Sequence, residues 1–141
     1  GWLKSHKSQS KSHMESGSRR WKQQAPPNFG KAREYFQGVT GDPLAEGTET
    51  SARCQFLIAE TYAMEANHET AAKEYFKVYL NYAGHDELRA QALFQGASCQ
   101  VAMKKNELAI RDFQELIKEF PTSNLVDKAR EELKKLEAAG P

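Results

Sequence analysis

From residue 28 onward, apolar side chains return every three or four positions between short polar turns, the pattern of amphipathic helices. Six helices are predicted. The first covers about 28–39, with Ala32, Phe36 and Val39 on one side. Thr40-Gly41-Asp42-Pro43 make a turn, and Gly47 breaks the stretch that follows. Thr48 is placed to cap a helix over about 49–65, whose inner stripe is expected to be Phe56, Ala59, Tyr62 and Ala63. Asn67-His68 turn the chain into a helix over about 69–82 that carries Ala72, Tyr75, Phe76, Tyr79 and Tyr82. Gly84 ends it. Asp86 is expected to cap a helix over about 87–103, and Asn106 one over about 106–119 that Pro121 closes. Asn124 and Asp127 open a last helix reaching about 138. It is more polar than the others, with Ala129, Leu133 and Leu136 as its apolar line.

The pattern repeats. Leu93, Gly96, Ala97 and Gln100 are followed by Ala109, Phe113, Leu116 and Pro121. Thirty-eight residues upstream, Gln55, Ile58, Ala59 and Tyr62 are followed by Ala71, Tyr75, Val78 and Ala83. Ala32, Phe36 and Val39 repeat the small–aromatic–aliphatic order of the second helix once more. Self-similarity at a fixed offset marks a solenoid, because one helix pair cannot bury its apolar face alone and must stack on its neighbours. The small residues Ala59, Ala71, Ala97 and Ala109 let helix backbones approach. The expected fold is therefore all-α, a right-handed α-solenoid of stacked helix hairpins over 28–141, with a polar C-terminal capping helix.

The chain resembles the tetratricopeptide repeat, whose consensus runs W-x2-L-G-x2-Y, then A-x3-F, then P. Here it reads Leu93-x2-Gly96-Ala97-x2-Gln100, Ala109-x3-Phe113 and Pro121. The earlier copy reads Gln55-x2-Ile58-Ala59-x2-Tyr62 and Ala71-x3-Tyr75, with Ala83 at the place of the proline. Leu93 and Gln55 stand at the place of the consensus Trp, and the connection around Gly84-His85-Asp86 is longer than usual. The long spacing and the phrase EFPTSNLVDKAREEL are similar to the repeats of bacterial envelope proteins, of the Tol–Pal-associated periplasmic and outer-membrane assembly lipoprotein types. That likeness implies a periplasmic or membrane-tethered setting in the bacterial cell envelope, with the cytoplasm as the second reading.

Charge divides the chain. Residues 1–24 hold six Lys and Arg against Glu15, a net of +5, and the rest holds 14 against 18 acids, a net of −4. Residues 1–27 are rich in Ser, Lys, His and Gln and show no helical apolar period, so they read as a flexible basic arm. Three readings compete for it: a solvated linker, the polar flank of an upstream membrane anchor, or a binder of anionic lipid or nucleic acid. Trp21 is the arm residue expected to dock on the first helix. The chain begins with Gly, as expected of a piece of a longer protein. It has no apolar run long enough to span a bilayer and no visible cleavable signal.

No constellation for catalysis emerges. His6, His13, His68 and His85 are scattered and no HxxxH spacing occurs. Phosphate-binding glycine loops and nucleophile elbows are missing from the sequence. Glu131-Glu132, Asp86-Glu87 and Glu115/Glu119 read as solvated faces or helix-start charges. Cys54 and Cys99 form no metal or redox motif and read as packed small apolar residues, with a disulfide between them left open. The Tyr75–Tyr79–Tyr82 stripe reads as a packed seam. No enzyme activity, cofactor, metal or small-molecule substrate is expected.

What remains is a surface. The resemblance implies a concave groove lined by the first helix of each unit. Carried over position by position, its residues are Arg53, Phe56 and Glu60, then Gln91, Phe94, Ser98 and Val101, then Lys128, Glu131 and Lys135 on the last helix. Phe and Gln stand where carboxylate-clamping repeats use Lys and Asn, so that mode is not expected. An extended or helical peptide with an apolar anchor suits the two aromatics better. The competing reading of Phe56 and Phe94 is packing into the next unit. The expected function is a protein–protein interaction or scaffold module. The alternative is a binder of anionic membrane or nucleic-acid surfaces through the basic arm, nucleic acid being the less favoured target.

Overall fold

The computed structural model describes residues 27–140. Six α-helices succeed one another: α1 Phe29–Thr40, α2 Glu49–Met64, α3 His68–Asn81, α4 Asp86–Ala102, α5 Asn106–Glu119 and α6 Val126–Ala139. A short 3-10 turn, Pro43–Ala45, lies between α1 and α2, and no strand occurs among the described residues. Each helix packs on its neighbours in sequence, and α2 also reaches α4. The hairpins α2/α3 and α4/α5 thus stack into an all-α tetratricopeptide-like helical repeat. α1 matches the second helix of a repeat hairpin. The arm expected over 1–27 falls almost wholly outside the described residues, and with it the docking of Trp21.

The two hairpin turns are built alike. Ala66 and Lys104, thirty-eight residues apart, both adopt a left-handed backbone, with φ of 60° and 61°. The next residue closes the turn in each case. Asn67 N–H donates to Tyr62 O at 2.9 Å, and Lys105 N–H donates to Gln100 O at 2.8 Å. This wraps the last orphan carbonyls of the first helix, the usual task of a helix C-cap. Neither turn has the glycine that such a conformation favours.

The cap read from the sequence at Thr48 is present, two at Asp86 and Asn106 are not, and Asn28 and Asn67 add two that were not read. Asn28, Thr48 and Asn67 each accept a hydrogen bond from the backbone three residues on. Asp86 and Asn106 do not cap. They are the first residues of α4 and α5, behind His85 and Lys105, whose side chains make no cap bond. Asp86 is occupied by Arg89 at 3.1 Å, and the His85 ring reaches back to Gly47 O at 2.9 Å. Glycine permits the sharp entry to α4, since Gly84 sits at a φ of +91°.

Three apolar clusters run along the stack. Phe36, Cys54 and Ile58 join α1 to α2. Ala59, Ala71, Ala72, Tyr75 and Val78 close the α2/α3 hairpin against Ala92 and Cys99 of α4. Leu93, Ala97, Ala109, Phe113 and Leu116 fill the α4/α5 hairpin, with Val126, Ala129 and Leu136 of α6 laid against them. The inner stripe of α2 differs from the one expected. Phe56, Tyr62 and Ala63 are only half-buried, while Ser51, Ala52, Cys54, Gln55, Ile58 and Thr61 are buried with Ala59. The reason is that α2 is pressed from two sides, by α1 and by α3, so one apolar stripe cannot describe it.

Arginines tie successive units. The Arg33 guanidinium lies 4.2 Å from the Tyr62 ring centroid, donates to Thr61 at 3.3 Å and pairs with Glu65. Arg89 faces Tyr79 and Phe120 at 5.0 and 5.3 Å, and its Nε donates to Tyr79 O at 2.9 Å. Stacked, hydrogen-bonded guanidinium is a role that lysine cannot reproduce. α6 is polar on its outer side, where Lys128, Arg130, Glu131, Lys134 and Lys135 are exposed. Such a face gives a solenoid a soluble end.

Candidate partner-binding face

The face is built from α2 and α4, the first helices of successive units. Phe56 and Phe94 occupy equivalent positions, thirty-eight residues apart, and the fold treats them identically. Phe56 meets the edge of Tyr75 with ring centroids 5.2 Å apart, and Phe94 meets Phe113 at 5.3 Å. Each aromatic therefore packs on the second helix of its own hairpin, and Phe56 also borders the cluster that takes in Ala92 and Cys99 of the next unit. Each is also half-buried, so part of every ring remains open.

The other expected positions fall around them. Arg53 is exposed and bound to Glu49 at 3.1 Å, one turn before it. Glu60, Gln91 and Ser98 are half-buried, the Ser98 hydroxyl donating back to Phe94 O at 3.0 Å. Val101 is half-buried at the far end of α4. There the face runs into an open recess of about 1250 Å³ walled by Val101, Leu108, Ile110 and Leu136, with Lys104 and Lys105 among its lining residues. Lys128, Glu131 and Lys135 are exposed on α6, with Lys135 paired to Glu132 at 3.4 Å. The residues thus lie on three separate helices. Two more apolar residues follow on α2, Leu57, half-buried against the α1/α2 cluster, and Met64, 46% exposed. Sequence reading passed over them. The helical period beginning at Arg53 continues through Leu57, Glu60 and Met64 and was the available signal.

Electrostatics along the seams follow burial. Burial raises the Tyr75 hydroxyl above its ordinary range, and the nearby Glu60 and Cys99 add to the effect. Tyr79 is raised by burial and then by Glu115 and Glu119, with Arg89 opposing. Its hydroxyl donates to Glu115 at 3.3 Å. Tyr82 shares a hydrogen bond with Ser51 at 2.8 Å. All three tyrosines are thus engaged in seams between helices. Asp112, half-buried on α5, is raised chiefly by burial, against a hydrogen bond from Gln100 that lowers it. Cys54 and Cys99 are free and buried, in different clusters, and burial pushes both thiols up. Thiols of that kind are poor nucleophiles. Among the described residues no group of three or more His, Cys, Asp or Glu is placed to hold a metal ion. Likewise no described helix is long and apolar enough to cross a membrane.

Stacked hairpins with an open first-helix face define a helical-repeat protein. The tetratricopeptide repeat family model matches residues 91–123, which spans most of α4, all of α5 and the turn after it. Over those residues the chain is similar to the tetratricopeptide repeat, and repeats of that family generally mediate protein–protein interaction. Comparison with curated proteins and with solved structures finds no match.

Proposed function

We propose that the chain is a non-catalytic interaction module that holds a segment of a partner protein along the α2–α4 face. The observation that carries this reading is the paired placement of Phe56 and Phe94. Each ring is anchored at one edge by a buried aromatic of its own hairpin and left partly open beside polar neighbours. A fixed, half-open aromatic offers apolar contact without the entropic cost of ordering a loose side chain, which is what an anchor pocket needs. Glu60, Gln91 and Ser98 supply hydrogen-bonding groups beside the rings, and Lys128, Glu131 and Lys135 extend the line onto α6. The bacterial envelope is the proposed setting, on the strength of the long repeat and the EFPTSNLVDKAREEL phrase alone.

The test is a phage-displayed peptide library panned against the full chain. Peptides so selected should share an apolar residue. Their affinity should fall by about tenfold or more, 1.4 kcal/mol, when Gln91→Arg or Ser98→Lys is introduced on the face. Selected peptides that ignore both substitutions would place binding elsewhere. Loss of binding on removal of residues 1–24, with steep salt dependence, would favour an anionic-surface role for the arm instead.

A further inference from the structure

α1 matches the second helix of a repeat hairpin, and among the described residues no first helix precedes it. The consequences can be measured, because α3 is the same helix one unit later. Ala71 and Val78 of α3 are both 0% exposed. Their counterparts on α1, Ala32 and Val39, are only half-buried. Tyr35, on the same side of α1, is 72% exposed, and its ring meets Phe36 edge-on at 5.8 Å. Ala32, Tyr35 and Val39 are spaced i, i+3 and i+7, so they form one apolar face beside Phe36, which is itself buried against Cys54 and Ile58 of α2.

We propose that the segment immediately before α1, carrying Trp21, lies over this face and shields it. Connectivity supports that occupant. Twenty-six residues precede Pro27, which leads directly into α1. Trp21 stands eight residues before Phe29, and eight extended residues reach at most about 27 Å. α1, with 12 residues, is about 18 Å long, so the indole reaches any point on it. Among residues 1–26 Trp21 is the large apolar side chain nearest to α1, since Trp2, Leu3 and Met14 lie further upstream.

The repeat register also says how the segment does not lie. Within each hairpin, Phe56 faces Tyr75 and Phe94 faces Phe113. Carrying that pairing onto α1 sets residue 17 opposite Phe36. The close-approach position filled by Ala59 in α2 then falls on Arg20. An arginine cannot enter a seam that Ala59 occupies at 0% exposure. The contact proposed with α1 is therefore the Trp21 indole rather than a helix stacked in the repeat register.

Tryptophan fluorescence reads this directly, because both tryptophans, Trp2 and Trp21, lie before Pro27. In a full chain carrying Trp2→Phe, native Trp21 should emit to the blue of the denatured chain. Its acrylamide quenching should be several-fold weaker. Val39→Lys should return both readings to the denatured values with circular dichroism unchanged. Leu80→Lys, on the outward side of α3, should alter neither. Should Val39→Lys unfold the chain, Tyr35→Ser serves in its place, being mostly exposed, and should raise the quenching. Native quenching equal to that of the denatured chain would overturn the proposal. So would protection that survives every face substitution, or protection that vanishes on dilution, which would make a second copy the occupant.

Discussion

The ring of Phe76 occupies the volume that a side chain at residue 96 would need. A Cβ built on Gly96 would lie 2.6 Å from Cε1 and 2.8 Å from Cζ of that ring. This contact sets how closely the α2/α3 hairpin approaches α4, and hence the pitch of the stack at that junction. Substituting Gly96→Ala should cost about 1–3 kcal/mol by overpacking. Because the obstacle is one side chain, Phe76→Leu should recover part of that loss. Urea denaturation of the two single variants and the double variant closes the cycle. Additive effects would show that the two residues do not meet.

Ala66 is strained where a glycine would not be. Its φ of 60° costs an L-residue roughly 1–2 kcal/mol, while glycine brings its own unfolded-state entropy of about 0.5–1 kcal/mol. The strain is the larger of the two. Ala66→Gly should therefore stabilise the chain, by up to about 1 kcal/mol. Lys104→Gly should behave alike, since its turn is the same. Thermal melting is the measurement, and a lowered midpoint in both variants would contradict the turn geometry.

Phe113 is 0% exposed at the centre of the α4/α5 cluster, whereas Leu80 on α3 is 73% exposed. Phe113→Ala should cost about 3–5 kcal/mol by opening a cavity, a large part of what a domain of this size possesses. Leu80→Ala should stay within about 0.5 kcal/mol of the parent. Comparable losses for both would mean that α3 is covered on its outer side.

Asp112 ties stability to pH. Burial raises its folded pKa above the ordinary carboxylate value. The native state then holds the proton to a higher pH than the unfolded chain does. Its contribution to stability accordingly falls as pH rises from the ordinary value through the raised one, and the full cost of the buried charge is present above both. Asp112→Asn keeps an acceptor for Gln100 and removes that charge. The variant should melt higher than the parent at neutral pH, and the advantage should fade in acid. Equal melting temperatures at neutral pH would show that the carboxylate is adequately solvated.

The helices were legible because their signal is local. Ala109, Phe113 and Leu116 bury one side of α5 whatever its neighbours are, and the same spacing at Ala71, Tyr75 and Val78 disclosed the repeat. α2 was read less well. A helix pressed from two sides has no single apolar stripe, so burial of Cys54, Gln55 and Thr61 depends on where α1 and α3 arrive. Two caps were misplaced for a similar reason. Asp86 has the right chemistry for a cap, yet Arg89 claims its carboxylate, and His85 turns instead to Gly47, thirty-eight residues away.

By itself, then, the sequence determined that the chain forms hairpins of helices, their order, their repeat and a polar last helix, since periodicity and turn chemistry act over a few residues. Only the tertiary structure decided which aromatics stay half-open on the α2–α4 face, that Gly96 receives Phe76, that Ala66 and Lys104 bend without glycine, and that α1 presents a less covered side than α3. Those outcomes depend on distances between residues far apart in the chain, and the spacing of apolar positions along one helix carries no information about them.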